Sequence, residues 1–180
     1  MQKILPVLLL GTLALLAILP QTVLANTHNP EHSRVEVRAN FHIRLSGNQQ
    51  VPAIDTDAFG FASVRFIHNG TALNFRVVVC NIANVTLSHI HVGAAGTNGP
   101  VVIHFFDQPL APFSSSHGCH TLAEGTRTQS DLVTHSDSTP PINNWDDFVR
   151  ALFAGNTYVN VHTSAHPVGE IRGQLVSHGN

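Results

Sequence analysis

Alternation with a period of two constrains this chain more than any other feature. Val35, Val37, Phe41, Ile43 and Leu45 occupy odd positions, with Glu36, Arg38, His42 and Arg44 between them. Successive side chains of an extended strand point to opposite faces, so this pattern reads as a strand with one buried and one wet face. Ser46-Gly47-Asn48 breaks it. Residues 59–67 read as a second strand, and Asn69-Gly70 as a hairpin turn, after which Leu73, Phe75, Val77 and Val79 alternate on the return. Further extended stretches are predicted at 89–92, 101–106, 126–132, 154–161 and 169–176, with Gly and Pro in most of the gaps.

One segment carries helical spacing instead. Trp145, Phe148, Val149 and Leu152 fall at i, i+3, i+4 and i+7. Asn144 is an N-cap, Asp146 and Asp147 suit the positive end of the helix dipole, and Gly155 is a stop. Residues 107–143 are rich in Ser, Pro and His and are expected to form loop holding at most one strand. Many short strands with one helix in a connection predict an all-β, antiparallel sandwich or barrel.

The ends bound where such a fold works. Met1-Gln2-Lys3 is followed by an apolar run from Ile4 to Leu19, and Val23-Leu24-Ala25 ends in a small residue. Residues 1–25 read as a secretory signal peptide cut before Asn26, residues 26–36 as a polar tail, and 37–178 as the domain. The expected location is secreted, extracellular or periplasmic, with no membrane attachment after cleavage. Lys3 is the only lysine, so lysine-based catalysis is excluded from the mature chain. Nine basic residues against eleven acids leave no electrostatic footprint for nucleic acid. Cys80 and Cys119 are the only cysteines and are expected to form one disulfide in an oxidising compartment.

Chemistry concentrates in Ser88-His89-Ile90-His91-Val92-Gly93. On a strand, His89 and His91 stand side by side while Ile90 and Val92 turn the other way. His162 lies in a second alternating stretch, Tyr158-Val159-Asn160-Val161-His162. Three imidazoles are a ligand set for copper, with zinc as second choice, leaving a position for water or substrate. The alternative is structural, each ring bonded to a loop carbonyl or a neighbour. Glu170 and Arg172 fall on the polar face of the last strand. As outer partners, Glu170 would orient a histidine and Arg172 would draw an anion into a shallow site; the alternative is a solvated or ion-paired sheet face. No Gly-x-Ser-x-Gly elbow occurs, so serine-nucleophile catalysis finds no support, and no catalytic residue is assigned.

Three ordered motifs resemble those of a known family. They are Leu45-Ser46-Gly47-Asn48-Gln49-Gln50-Val51-Pro52, then Ser88-His89-Ile90-His91-Val92-Gly93 with Gly96-Thr97-Asn98-Gly99-Pro100-Val101, and then the stretch from Ala154 to Thr163 with Pro167-Val168-Gly169-Glu170-Ile171-Arg172-Gly173-Gln174-Leu175. The family is the CHRD domain, named after chordin and also found as a stand-alone secreted module, and the resemblance runs from about Phe41 to Leu175. It implies a Greek-key β-sandwich or barrel, immunoglobulin-like or similar to Cu/Zn superoxide dismutase. In that enzyme the copper site uses a His-x-His strand and a later histidine, which His89, His91 and His162 match in order and type. The bridging histidine and the zinc cluster have no counterpart fixed by spacing, with His104, His117 and His120 all available. Two functions are therefore expected. One is a secreted binding or structural module, without catalysis, for a protein, glycan or matrix partner. The other is a copper-binding protein with dismutase-like redox chemistry at His89, His91 and His162.

Overall fold

The alternating stretches pair with one another in register. In the computed structural model the described residues are 40–106, 113–115 and 118–176. The expected leader and tail lie outside them, as do Val35, Val37 and His117. The elements are β1 (Asn40–Ser46), β2 (Phe59–Ile67), β3 (Ala72–Cys80), β4 (Val85–Val92), β5 (Val101–His104), β6 (Cys119–Thr128), α1 (Trp145–Phe153), β7 (Thr157–Thr163) and β8 (Ile171–Gln174). Phe41, Ile43 and Leu45 of β1 are buried while His42 and Arg44 are exposed, as alternation requires. Asn69 and Gly70 take left-handed backbone angles in the turn that joins β2 to β3.

Eight antiparallel strands follow one another laterally as β5-β4-β7-β8-β1-β2-β3-β6. The two ends of that row approach each other. Ile103 of β5 bridges to Leu132 just past β6, and Val133 N–H donates to Val102 O at 2.9 Å. Arg127 of β6 donates through Nε to His104 O at 2.7 Å and through Nη2 to Phe105 O. The result is a nearly closed barrel in which β3, β6, β5 and β4 lie in Greek-key order. Closure of this kind leaves little unpaired strand edge.

Strand β6 differs from expectation. A strand is expected at 126–132 but runs Cys119–Thr128, followed by a short 3-10 turn at Gln129–Asp131. Only Leu122 of its ten residues is buried, so the apolar alternation that marks the other strands is absent. Residues 154–161 also begin too early, because Ala154 caps the helix and the strand opens at Thr157.

Helix α1 has the expected cap: Asp147 N–H donates to Asn144 Oδ1 at 3.0 Å. Its stripe of Trp145, Phe148, Ala151 and Leu152 is buried on the barrel. Trp145 Nε1 donates to Gly70 O at 2.6 Å, which ties the helix to the β2–β3 turn. Each such large apolar side chain contributes about 1.5–3 kcal/mol of burial. Cys80 and Cys119 face each other across β3 and β6 and form the expected disulfide.

Strands β4 and β7 place Ile90, Val92, Val159 and Val161 in the core. Their other faces carry His89, His91, Tyr158, Asn160 and His162, which are polar and yet buried. Three segments cover this outer face, and the bonds they make define the site: 47–56, 93–100 and 164–170.

Candidate metal centre

Register decides which rings meet. In the β4–β7 pair, His91 lies opposite Tyr158, His89 opposite Asn160, and His162 opposite Leu87. His162 is therefore the diagonal neighbour of His89, within reach of a ring side chain. The ring centres of His89, His91 and His162 form a near-equilateral triangle with sides of 5.6, 5.0 and 5.8 Å. One nitrogen from each ring lies within 4.8 Å of the other two. All three residues are at most 7% exposed.

Backbone carbonyls fix two tautomers. His91 Nδ1 is 2.9 Å from Gly99 O, and His162 Nδ1 is 2.9 Å from Pro167 O. A carbonyl only accepts, so both Nδ1 atoms carry the proton and both Nε2 atoms present a lone pair. His162 Nε2 faces His89 Nδ1 at 3.3 Å. That is long for an N–H···N bond, and it equals the separation of about 3.3–3.4 Å between two nitrogen ligands at tetrahedral positions on an ion 2.0–2.1 Å away. His89 Nε2 and His91 Nε2 are buried with no hydrogen-bond partner.

A second proton does not occupy the one lone pair of each ring near neutral pH. Burial, followed by the neighbouring rings of His162, His91 and His104, lowers the pKa of His89 to about 3. Burial lowers that of His91 to about 4 against the opposing effect of the Gly99 bond, and burial lowers His162 as well. Three neutral imidazoles with converging lone pairs, two of them held by carbonyls on the far nitrogen, form the donor set and outer support a transition-metal ion requires.

The two outer partners expected from alternation are placed differently. Glu170 accepts from Thr56 Oγ1 at 2.8 Å and from Thr163 Oγ1 at 2.7 Å, rather than orienting an imidazole. Arg172 does not reach toward an anion in a shallow site, because it is 1% exposed and committed to the covering loop. Its Nη1 donates to Thr97 O at 2.8 Å, and its Nη2 to Ala94 O at 3.2 Å and Gln174 Oε1 at 3.1 Å. The guanidinium lies 3.4 Å over the Tyr158 ring, and Tyr158 stacks on His91 at 4.9 Å with the planes 8° apart. Gly99 N–H donates to Tyr158 Oη at 3.1 Å, so one loop residue holds both ring partners of the stack.

Two contributors have weak sequence signals. Tyr158 and Asn160 precede His162 by four and two positions and so share its face, a placement readable from alternation. Asn160 bonds Gln50 and Val168 O, joining two of the covering segments. His104 stands opposite His89 in the β4–β5 pair, its ring centre 4.7 Å away, and is half-buried. Of the two described candidates for a further histidine, His104 and His120, it is the one the register brings to the triad. His120 lies on β6, paired with Val79 of β3.

Comparison with curated proteins and with solved structures returned no significant match. The family model for the CHRD domain matches residues 41–175, well over half of the chain and the whole of the described barrel but its first residue and its last. On that match this chain belongs to the CHRD domain family.

Proposed function

We propose that this chain is an exported binding module whose ligand is a transition-metal ion, copper ahead of zinc, held by His89, His91 and His162. One observation carries the reading: three buried ring nitrogens converge within 4.8 Å, and two rings are locked by carbonyls in the tautomer that offers Nε2. A purely structural triad needs its buried acceptors bonded, whereas His91 Nε2, left as an acceptor by the bond from Nδ1 to Gly99 O, has no partner. Copper leads because imidazole sites bind Cu²⁺ more tightly than Zn²⁺. Copper would supply one-electron redox chemistry there, as in a dismutase-like function, and zinc would not. The chain's own part is to hold three neutral donors in place and to exclude water behind the covering segments. Export is supported by the leader-like residues 1–25 and by a disulfide, which persists in oxidising compartments.

The test is metal binding by the mature chain prepared without a histidine tag. One equivalent of copper is expected at micromolar free metal, lost in His89→Ala and in His162→Ala, and retained in His42→Ala on the exposed face of β1. A folded protein that takes up no ion, or triad variants that bind as the parent does, would overturn the reading. The residual module would then bind only a protein, glycan or matrix partner.

A further inference from the structure

We infer that Arg172 sets the charge preference of the three-imidazole site, favouring a monovalent ion, copper(I), over a divalent one. The inference rests on the metal-binding reading above and adds the oxidation state the site prefers.

Arg172 is among the largest fully buried side chains of the fold. An arginine keeps its charge even when buried, and a buried cation ordinarily has a carboxylate beside it. None of the described partners of Arg172 is a carboxylate. Its hydrogen bonds end on Thr97 O, Ala94 O, Asn98 Oδ1 and Gln174 Oε1, all neutral oxygens. Among the described residues Glu170 is the only buried acid, and two threonine hydroxyls hold it. The positive charge of Arg172 is therefore left uncompensated by any ion pair among the described residues.

Its direction is fixed by two stacked contacts. The guanidinium lies 3.4 Å over Tyr158, and Tyr158 lies 4.9 Å over His91. Those distances place the charge within about 8 Å of the imidazole ring, across aromatic rings rather than solvent. The donor set offers no negative charge in return, since all three ligands are neutral. Each added unit of charge on a bound ion then meets the same fixed cation. At about 8–10 Å and an effective dielectric of about 20, one unit is a factor of roughly ten to thirty in affinity. A divalent ion meets that factor once more than a monovalent ion does. It recovers the difference only by bringing an anion of its own.

Metal-free protein is titrated anaerobically with copper(I) against a chromophoric chelator, and separately with zinc(II). Arg172→Gln, which keeps hydrogen-bonding capacity and loses the charge, should raise zinc(II) affinity relative to copper(I) about tenfold. Arg172→Lys should hold the parent ratio within about threefold. Equal weakening of both ions in Arg172→Gln would identify a structural brace and overturn the inference, with copper(I) binding at the triad still standing. Binding of neither ion by the parent would overturn the metal reading and the inference with it. If Arg172→Gln fails to fold, the parent protein decides through added azide. Azide should tighten zinc(II) and leave copper(I) unchanged after correction for azide complexes in solution, and an equal response of both ions would overturn the inference.

Discussion

His89 and His91 hold lone pairs inward, and this sets how the metal-free protein responds to acid. Burial is the leading cause that brings their pKa values to about 3 and about 4. In the unfolded chain both return to about 6.5. Below that pH the unfolded state binds protons that the folded state refuses, so stability is complete above about pH 6.5. It falls as pH drops and levels off only when the folded rings protonate, near pH 3–4. At pH 5 each such histidine accounts for up to about 2 kcal/mol. Urea midpoints of the metal-free protein should therefore decrease from pH 7 to pH 5 and again to pH 4, and His89→Gln should reduce the slope. A midpoint constant over that range would contradict the buried, neutral assignment. Alternation alone put the paired histidines on one face, and the second alternating stretch offered His162. The carbonyls of Gly99 and Pro167 gave no signal, because any residue supplies a carbonyl. Glu170 was legible as a polar position of the last strand but not as a buried one, and Thr56 and Thr163, not an imidazole, reach it.

Elements were legible where alternation was strong. Residues 59–67 form a strand with the expected ends, since the four inward positions Gly60, Ala62, Val64 and Phe66 and the Asn69-Gly70 turn agree. Strand β6 was not, because its residues face solvent and its pairing with β3 replaces the missing apolar pattern. The segment 93–100 shows how an irregular element specifies the site. A Cβ on Gly99 would lie 1.7 Å from Val92 O, closer than any side chain tolerates. The segment would have to move, taking Gly99 O from His91 and Gly99 N–H from Tyr158. Gly96 has open space around it but a φ of +77°, so alanine there meets only backbone strain. Gly99→Ala should destabilise by about 2–3 kcal/mol and weaken copper binding at least tenfold. Gly96→Ala should cost about 1 kcal/mol with affinity little changed. Calorimetric melting and copper titration of the two variants check this, and equal effects would show that the segment does not position His91.

At the scale of the whole molecule, the count of short strands and the single helix pointed to an antiparallel sandwich or barrel, but not to the lateral order. That order depends on contacts remote in sequence, such as Ile103 with Leu132 and Arg127 with His104 O. The Cys80–Cys119 pair is one such contact that residue type revealed, because two cysteines have one pairing available. It joins β3 to the start of β6 with 39 residues of separation, enclosing β4, β5 and the connection between β5 and β6. Cross-linking a loop of that length restricts the unfolded chain by about 4 kcal/mol in the chain-entropy model. Strand β6 is mostly solvent-exposed and draws little from burial, so the covalent tie carries a large share of what holds it on β3. The metal ligands lie on β4 and β7, whose pairing is made by a separate ladder. The double variant Cys80→Ser/Cys119→Ser should thus lose about 2–4 kcal/mol in urea unfolding while binding one equivalent of copper with the parent affinity under native conditions. If affinity fell in step with stability, the triad would depend on the β3–β6 edge, and the separation of site from closure argued from the ladders would be wrong.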